Sequence, residues 1–269
     1  FIVDVIQIIR HYFGFFIYSY CSLKKIPYIG GYCFAQQDFL RGRHEDIALE
    51  LNKYIKKIKK NNANYKFNIL EIGSYAGGSC IQISKTLEAN NCEYQIHCCD
   101  KWTGYELKED IGKFNPKKTV QAQTSGKIFE IFIENILYQK IFNKVTLHIG
   151  NSKKILPNLI KKKILFDFIY IDGNHSFEYV NQDIHNSKSL ILNNGIIMGD
   201  DYELKYEAHD KVIIDEAIEN DIDFTMDKKN TKAFHPGVTK AVNINFGSIN
   251  NKNGQFCVVK DNKKFTSIY

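Results

Sequence analysis

The chain has 269 residues, 44% of them hydrophobic and 25% charged, with a formal net charge of +6. That length and balance exclude a disordered chain and suit one enlarged α/β domain, or one domain with an N-terminal appendage. Its seven cysteines are odd in number and contain no C-x-x-C pair. They indicate neither a disulfide framework nor a zinc site, so a reducing cytoplasm is expected. Lysines cluster at Lys56-Lys57, Lys59-Lys60 and 161–163. Such runs read as solvated helix faces, with weak binding to an anionic surface as the lesser option and no nucleic acid expected.

Residues 1–20 are rich in Ile, Phe and Tyr, but Asp4, Gln7, Arg10 and His11 interrupt them. The stretch matches neither a membrane span nor a secretory signal. Ile2, Ile6, Ile9 and Phe13 recur at helical spacing, which predicts an amphipathic helix. Packing on the core or on a second subunit of a homo-oligomer is its expected role, ahead of lying on a membrane surface. The first residue is Phe, so a truncated or processed start is an option. Residues 27–43 read as irregular around Gly30-Gly31, and 45–60 as a helix through Ile47, Leu51, Tyr54, Ile55 and Ile58.

The main domain is expected over 63–269, after a helical region at 1–62. Residues 68–83 read as strand, Gly-rich turn and helix, and 94–99 as the next strand, with Asp100 at its end. A polar stretch then runs to Lys127, long enough to serve as a lid over a crevice. Residues 128–138 predict a helix and 144–149 a strand that closes at Gly150-Asn151-Ser152; a helix follows through Ile155, Leu156 and Leu159. Phe166–Ile171 reads as a buried strand, 176–192 as a helix, and Asn194-Gly195 as a turn into the strand before Asp200. Strands alternating with helices predict a doubly wound, mostly parallel α/β sheet.

Two acidic clusters stand where apolar runs stop: Asp172-Gly-Asn-His175, and Asp200-Asp201-Tyr202. In an open α/β sheet the carboxyl ends of strands form the ligand crevice, so three carboxylates and an imidazole are expected to converge there. Carboxylate oxygens suit a hard cation such as Mg²⁺. A plainer reading stands beside it, with Asp172 capping a helix and Asp200-Asp201 making a turn. His97 and His148 lie within strands and read as structural, while His11, His44 and His185 read as helix-surface residues. His209 and His235 flank an expected insertion at 203–234 and are placed to touch an acceptor, though nothing in their spacing demands it.

Glu71, Gly73 and Gly77 resemble the acidic-x-Gly-x-x-x-Gly loop of class I S-adenosylmethionine (SAM) dependent methyltransferases. Residues 66–202, and again 236–242, resemble the SAM-dependent sugar O-methyltransferases of the macrocin and mycinamicin type. The resemblance implies a Rossmann-like class I methyltransferase fold with cofactor contacts from Glu71, Gly73, Ser74, Gly77, Gly78, Ser79, Asp100, Asn151, Ser152 and Asp172. It also implies Mg²⁺ (or Mn²⁺) held by Asp172, Asp200 and Asp201, with His175 as general base beside Asp172. Its implied substrate is a sugar hydroxyl on a saccharide or other small molecule. The insertion at 203–234, with a helix expected at 208–218, departs from the family pattern and leaves the acceptor pocket open.

The chemistry is coherent without the family. A sugar hydroxyl is a poor nucleophile while protonated; a cation polarises it, and an imidazole can take the proton. Rival readings are a catechol or phenol O-methyltransferase, and a SAM-fold protein that binds without turnover. An aminopropyltransferase would not need the acidic pair beside His175. A base-modifying nucleic-acid enzyme would commonly carry an Asn/Asp-Pro-Pro-aromatic motif, which is absent from this sequence.

Overall fold

The computed structural model describes residues 2–28, 43–102, 121–122, 124–227 and 232–269. Five strands form the parallel part of the central sheet: β1 (Lys66–Ile72), β2 (Glu93–Asp100), β3 (Val145–Ile149), β4 (Phe166–Ile171) and β5 (Ile191–Gly199). Two short strands, β6 (Thr225–Asp227) and β7 (Lys232–Phe234), pair separately within the segment 203–234. A terminal hairpin, β8 (Phe256–Asp261) and β9 (Lys264–Ser267), extends the sheet antiparallel from β5. The sheet order is β3-β2-β1-β4-β5-β8-β9. This is the doubly wound, mostly parallel sheet that the alternation of elements predicted. The strand order reverses between β1 and β4, and the ligand crevice of such sheets opens beyond the carboxyl ends at that point.

Helices cover both faces: α1 (Ile2–Lys24), α2 (Arg43–Lys59), α3 (Gly78–Ala89), α4 (Lys127–Tyr138), α5 (Ser152–Lys161), α6 (Phe177–Leu190), α7 (Lys211–Glu219) and α8 (Pro236–Phe246). Buried parallel strands read as continuous apolar runs because both faces are covered, and every residue of β4 is buried. On one side Ile47, Leu51, Tyr54 and Ile55 of α2 join Phe67, Ile69, Ile83 and Phe132 in a common core. On the other, Leu70, Ile169 and Ile197 pack with Val180 and Ile184 of α6 and Val238 and Val242 of α8. Each such side chain contributes about 1.5–3 kcal/mol by leaving water.

The N-terminal segment is tied to the domain at its far end. Asn135 of α4 accepts from the backbone N of Tyr28 (2.6 Å) and donates to the carbonyls of Tyr28 and Ala76. Tyr18 donates to Glu134 at 3.0 Å. Phe13, Phe16, Tyr20 and Leu23 are exposed on α1; the side chains of Ile2, Ile6 and Ile9 lie outside the described residues. No helix among the described residues is long and apolar enough to cross a membrane.

Two boundaries differ from the sequence reading. The helix expected at 176–192 ends at Leu190, and β5 starts directly at Ile191, so Asn194-Gly195 lies inside the strand. There a step from Phe166 to Phe168 along β4 matches one from Ile191 to Ile196 along β5. Gly195 permits this irregularity because a Cβ would meet the Asp167 carbonyl at 2.9 Å. In the segment 203–234 the helix begins at Lys211 rather than 208, because Asp210 caps it by accepting from the backbone N of Val212. The stretch expected to act as a lid falls mostly at 103–120, outside the described residues.

Candidate active site

The carboxyl ends of the central strands are stitched together by backbone hydrogen bonds. Asp172 N donates to Ile72 O (2.8 Å), Asp200 N to Ile171 O (3.0 Å) and Gly73 N to Cys99 O (2.8 Å). The two acidic clusters therefore leave adjacent strands side by side, as their positions in the sequence predicted. Gly73, at φ +88°, passes so close to the β4 turn that a Cβ there would fall 1.8 Å from the Asp172 carbonyl oxygen. Only glycine serves at that contact.

The loop after β1 has the predicted form. Gly77 takes the left-handed conformation just before α3, and Gly78 and Ser79 open its first turn, where backbone N–H groups have no helical partner. Glu71 is fully buried and accepts from Ser79 and from Cys98 (3.5 Å). Burial pushes its carboxyl up to about 7, against the opposing effect of its hydroxyl and thiol donors. Asp100 accepts from Tyr75 N (2.8 Å) on one carboxylate oxygen and from Trp102 N (2.7 Å) on the other. It thereby holds the Gly-rich loop and the start of the β2–α4 connection. Ser74 is buried within the same loop. Asn151 caps α5 by accepting from Lys153 N, with Ser152 as the first residue of that helix. This turn lies beside Asp100, because Gly150 N donates to the Asp100 carbonyl (2.8 Å).

At the end of β4, His175 lies among three carboxylates. Its Nε2 stands 3.1 Å from Asp201 and 3.9 Å from Asp172, and its Nδ1 stands 3.4 Å from Asp223. The ring is 28% exposed and Asp201 10%. Burial opposes protonation of the ring, but Asp201, Asp172 and Asp223 outweigh it and raise its pKa well above the usual histidine value. Asp172, His175 and Asp201 bring ligand atoms within 4.8 Å of one another, whereas Asp200 belongs to no such group among the described residues. One oxygen of Asp200 accepts from the backbone N of Asp201 (2.9 Å). Asp201 itself has a left-handed backbone, φ 61°, a conformation sparsely used outside glycine.

The segment after β5 supplies two carboxylates that the sequence reading did not assign, Glu203 and Asp223, and His235, which that reading places near an acceptor. Glu203 accepts from the ring Nδ1 of His235 (2.8 Å) and from its backbone N (3.2 Å). His235 also approaches Asp201 at 3.7 Å and packs edge-on against His175. Gly237 follows, where a Cβ would lie 2.2 Å from the His175 carbonyl, so α8 starts directly on the His175 turn. His209 does not join this group; it pairs with Asp227 (2.8 Å) and stacks on Phe234. Glu203 extends the acidic run after Asp201 and was open to discovery from the sequence. Asp223 follows a helix end with no motif to mark it.

The arrangement combines a glycine-lined loop backed by buried acids with a polar cluster of carboxylates and imidazoles one strand away. Its oxygens suit a hard cation, and the loop suits a ligand that needs close backbone approach and hydroxyl acceptors. Residues 70–202 match a family model described as a methyltransferase domain. Among solved structures, the O-methyltransferase from Bacillus cereus in complex with SAH is 18% identical. That match covers 77% of this chain and 70% of that one, at a TM-score of 0.45. CalS11, a TDP-rhamnose 3'-O-methyltransferase of calicheamicin biosynthesis, is 12% identical. It covers 76% of this chain and 72% of that one, at a TM-score of 0.43. No curated protein matches the sequence.

Proposed function

We propose, from the match of residues 70–202 to a methyltransferase-domain model, that the protein transfers a methyl group from SAM to a hydroxyl oxygen of a saccharide, with a divalent cation at the site. The observation that carries this reading is the meeting of Asp172, His175 and Asp201 at the carboxyl ends of β4 and β5, one strand from the Gly73–Gly77 loop.

The residues fit both groups. Gly73 and Gly77 let the loop turn tightly against the β4 turn and Phe132, which exposes backbone N–H groups at the start of α3, while Asp100 offers an acceptor to the hydroxyls of a ribose. Asp172 and Asp201, with Asp200 beside them, offer the oxygens that Mg²⁺ or Mn²⁺ selects. SAM supplies an electrophilic methyl on its sulfonium. A divalent cation supplies Lewis acidity to the acceptor hydroxyl and partly neutralises the carboxylates that hold His175 protonated.

In this reading His175, once the ring has lost its own proton to solvent, receives the hydroxyl proton at Nε2, the nitrogen that faces Asp201 and Asp172. Its backbone is braced by α8 through Gly237, so the ring has a defined origin from which to reach an acceptor. Aligning methyl, sulfur and oxygen is the larger source of rate in such a transfer. The stitched ends of β1, β4 and β5 give this chain a rigid frame for that alignment.

The test is a crystal structure soaked with S-adenosylhomocysteine (SAH) and Mn²⁺, read by anomalous scattering and followed by an acceptor screen of sugar diols against catechols. The expected result is SAH in the Gly73–Gly77 loop, a manganese peak on Asp172 and Asp201, and methyl transfer to a sugar diol. SAH without a peak overturns the metal assignment. Transfer to catechols alone overturns the saccharide.

A further inference from the structure

The geometry points to a second metal site of different chemistry: His175, Asp223 and His235 form a site for one transition-metal ion of the Zn²⁺ class. Ligand atoms of these three residues lie within 4.8 Å of one another. Two imidazoles and one carboxylate form a set that zinc and its neighbours in the first transition row favour over Mg²⁺. The acids of the neighbouring cluster, in contrast, offer only oxygen.

The spacing of His175 and Asp223 matches that of two ligands on one ion. His175 Nδ1 and Asp223 Oδ1 stand 3.4 Å apart. A charge-assisted hydrogen bond closes to about 2.7–2.9 Å, so this contact is long for one. Two ligands of a tetrahedral zinc ion, each bonded at about 2.0–2.1 Å, lie about 3.3 Å from each other. The observed spacing therefore leaves room for a shared ion between the two groups.

His235 is held in the way ligating histidines usually are. Its Nδ1 is taken by Glu203 at 2.8 Å, and its backbone N donates to the other oxygen of the same carboxylate. A carboxylate on one ring nitrogen fixes the tautomer of a ligating histidine, so the metal is assigned to Nε2. The rings of His175 and His235 meet edge to face at 4.7 Å, and Phe224 lies 4.8 Å from His235 on the apolar side. His235 and Asp223 belong to the segment between β5 and α8, so this ligand set exists only because the insertion folds back over the β4 turn.

Binding releases the Nδ1 proton of His175 to solvent and puts the metal on that nitrogen, which leaves the remaining ring proton on Nε2. A ring in that state cannot accept a proton at Nε2. Occupation by zinc therefore switches off the base, a consequence that rests on the role proposed for His175 above; the site itself does not depend on it.

The test is a titration of the full, metal-stripped chain with Co²⁺, in excess Mg²⁺ to fill the oxygen site, followed by visible absorption. One equivalent is expected to bind with the intense ligand-field band of low-coordinate cobalt. The affinity should fall at least tenfold in Asp223→Asn and in His235→Gln, and hold in Asp200→Asn. Thermal melting and SAH binding of each variant check folding; if one variant does not fold, the other decides. Absence of the band in the wild-type chain overturns the site. So does a band that ignores both variants and disappears in Asp200→Asn. Because the titration uses no acceptor, its failure is separate from failure of methyl transfer, which only the acceptor screen reads.

Discussion

At the scale of single residues, His175 is governed by what surrounds it. Burial would depress the pKa of an isolated imidazole, and three carboxylates reverse the sign. The resting ring is therefore held toward the imidazolium, and the proton transfer proposed for it requires that Asp201 and Asp172 be neutralised first. Replacing His175 by Ala should lower turnover on the acceptor found by screening by at least about 100-fold, the usual scale of general-base catalysis. SAH affinity measured by calorimetry should stay within a factor of about three, because no contact of His175 with the cofactor loop is required. Turnover that survives in His175→Ala removes the residue from proton transfer.

At the scale of elements, the close approach of β1 to the β4 turn has a direct consequence. Gly73→Ala would drive a methyl into the Asp172 carbonyl and hold alanine at φ +88°. Both neighbours are backbone and have no flexible end to yield, so a loss of at least about 2 kcal/mol is expected in urea unfolding. SAH binding should weaken with it. A different test applies to the β2–β3 edge, where His97 and His148 stack with ring nitrogens 2.9 Å apart. Burial, with some help from His148, depresses His97 to about 4 from its ordinary 6.5. The unfolded chain then takes up its proton first as the pH falls through 6.5. Stability should accordingly fall between pH 6.5 and 4 and level off below, by about 1–3 kcal/mol for this group after allowing for its partial exposure. His97→Gln should flatten that slope in denaturant titrations run across the interval; an unchanged slope would assign it to other groups.

At the scale of the whole molecule, the site is assembled from segments far apart in the chain, and α8 closes it. Gly237→Ala would push a methyl against the backbone of His175 and Phe177. A cost of about 1–3 kcal/mol in stability is expected, with a larger fall in turnover than in SAH affinity, since the displaced part is the His175 turn and not the Gly73 loop. Equal losses in both would mean that α8 supports the domain as a whole. Much of this architecture could be read locally. Apolar runs bounded by Gly and Asp marked β1, β2, β4 and β5, because buried parallel strands need continuous apolar side chains. Strand ends marked Glu71, Asp100, Asp172 and Asp200-Asp201, because parallel sheets gather their carboxyl ends at one edge. The irregular pairing at Asn194-Gly195 was not legible, since it depends on how β5 meets β4 and not on either strand alone. Nor was the partition among the acids, in which Asp201 faces His175 while Asp200 binds the backbone of its neighbour; a single turn conformation decides which of two adjacent carboxylates points inward. The sequence by itself determined the sheet, the glycine loop and the identity of the first polar residues, all of which follow from periodicity and local turn chemistry. Only the tertiary structure decided that Glu203, Asp223 and His235 complete the site. His235 is placed by the start of α8 on the β4 turn, a contact between residues more than sixty positions apart that leaves no local pattern.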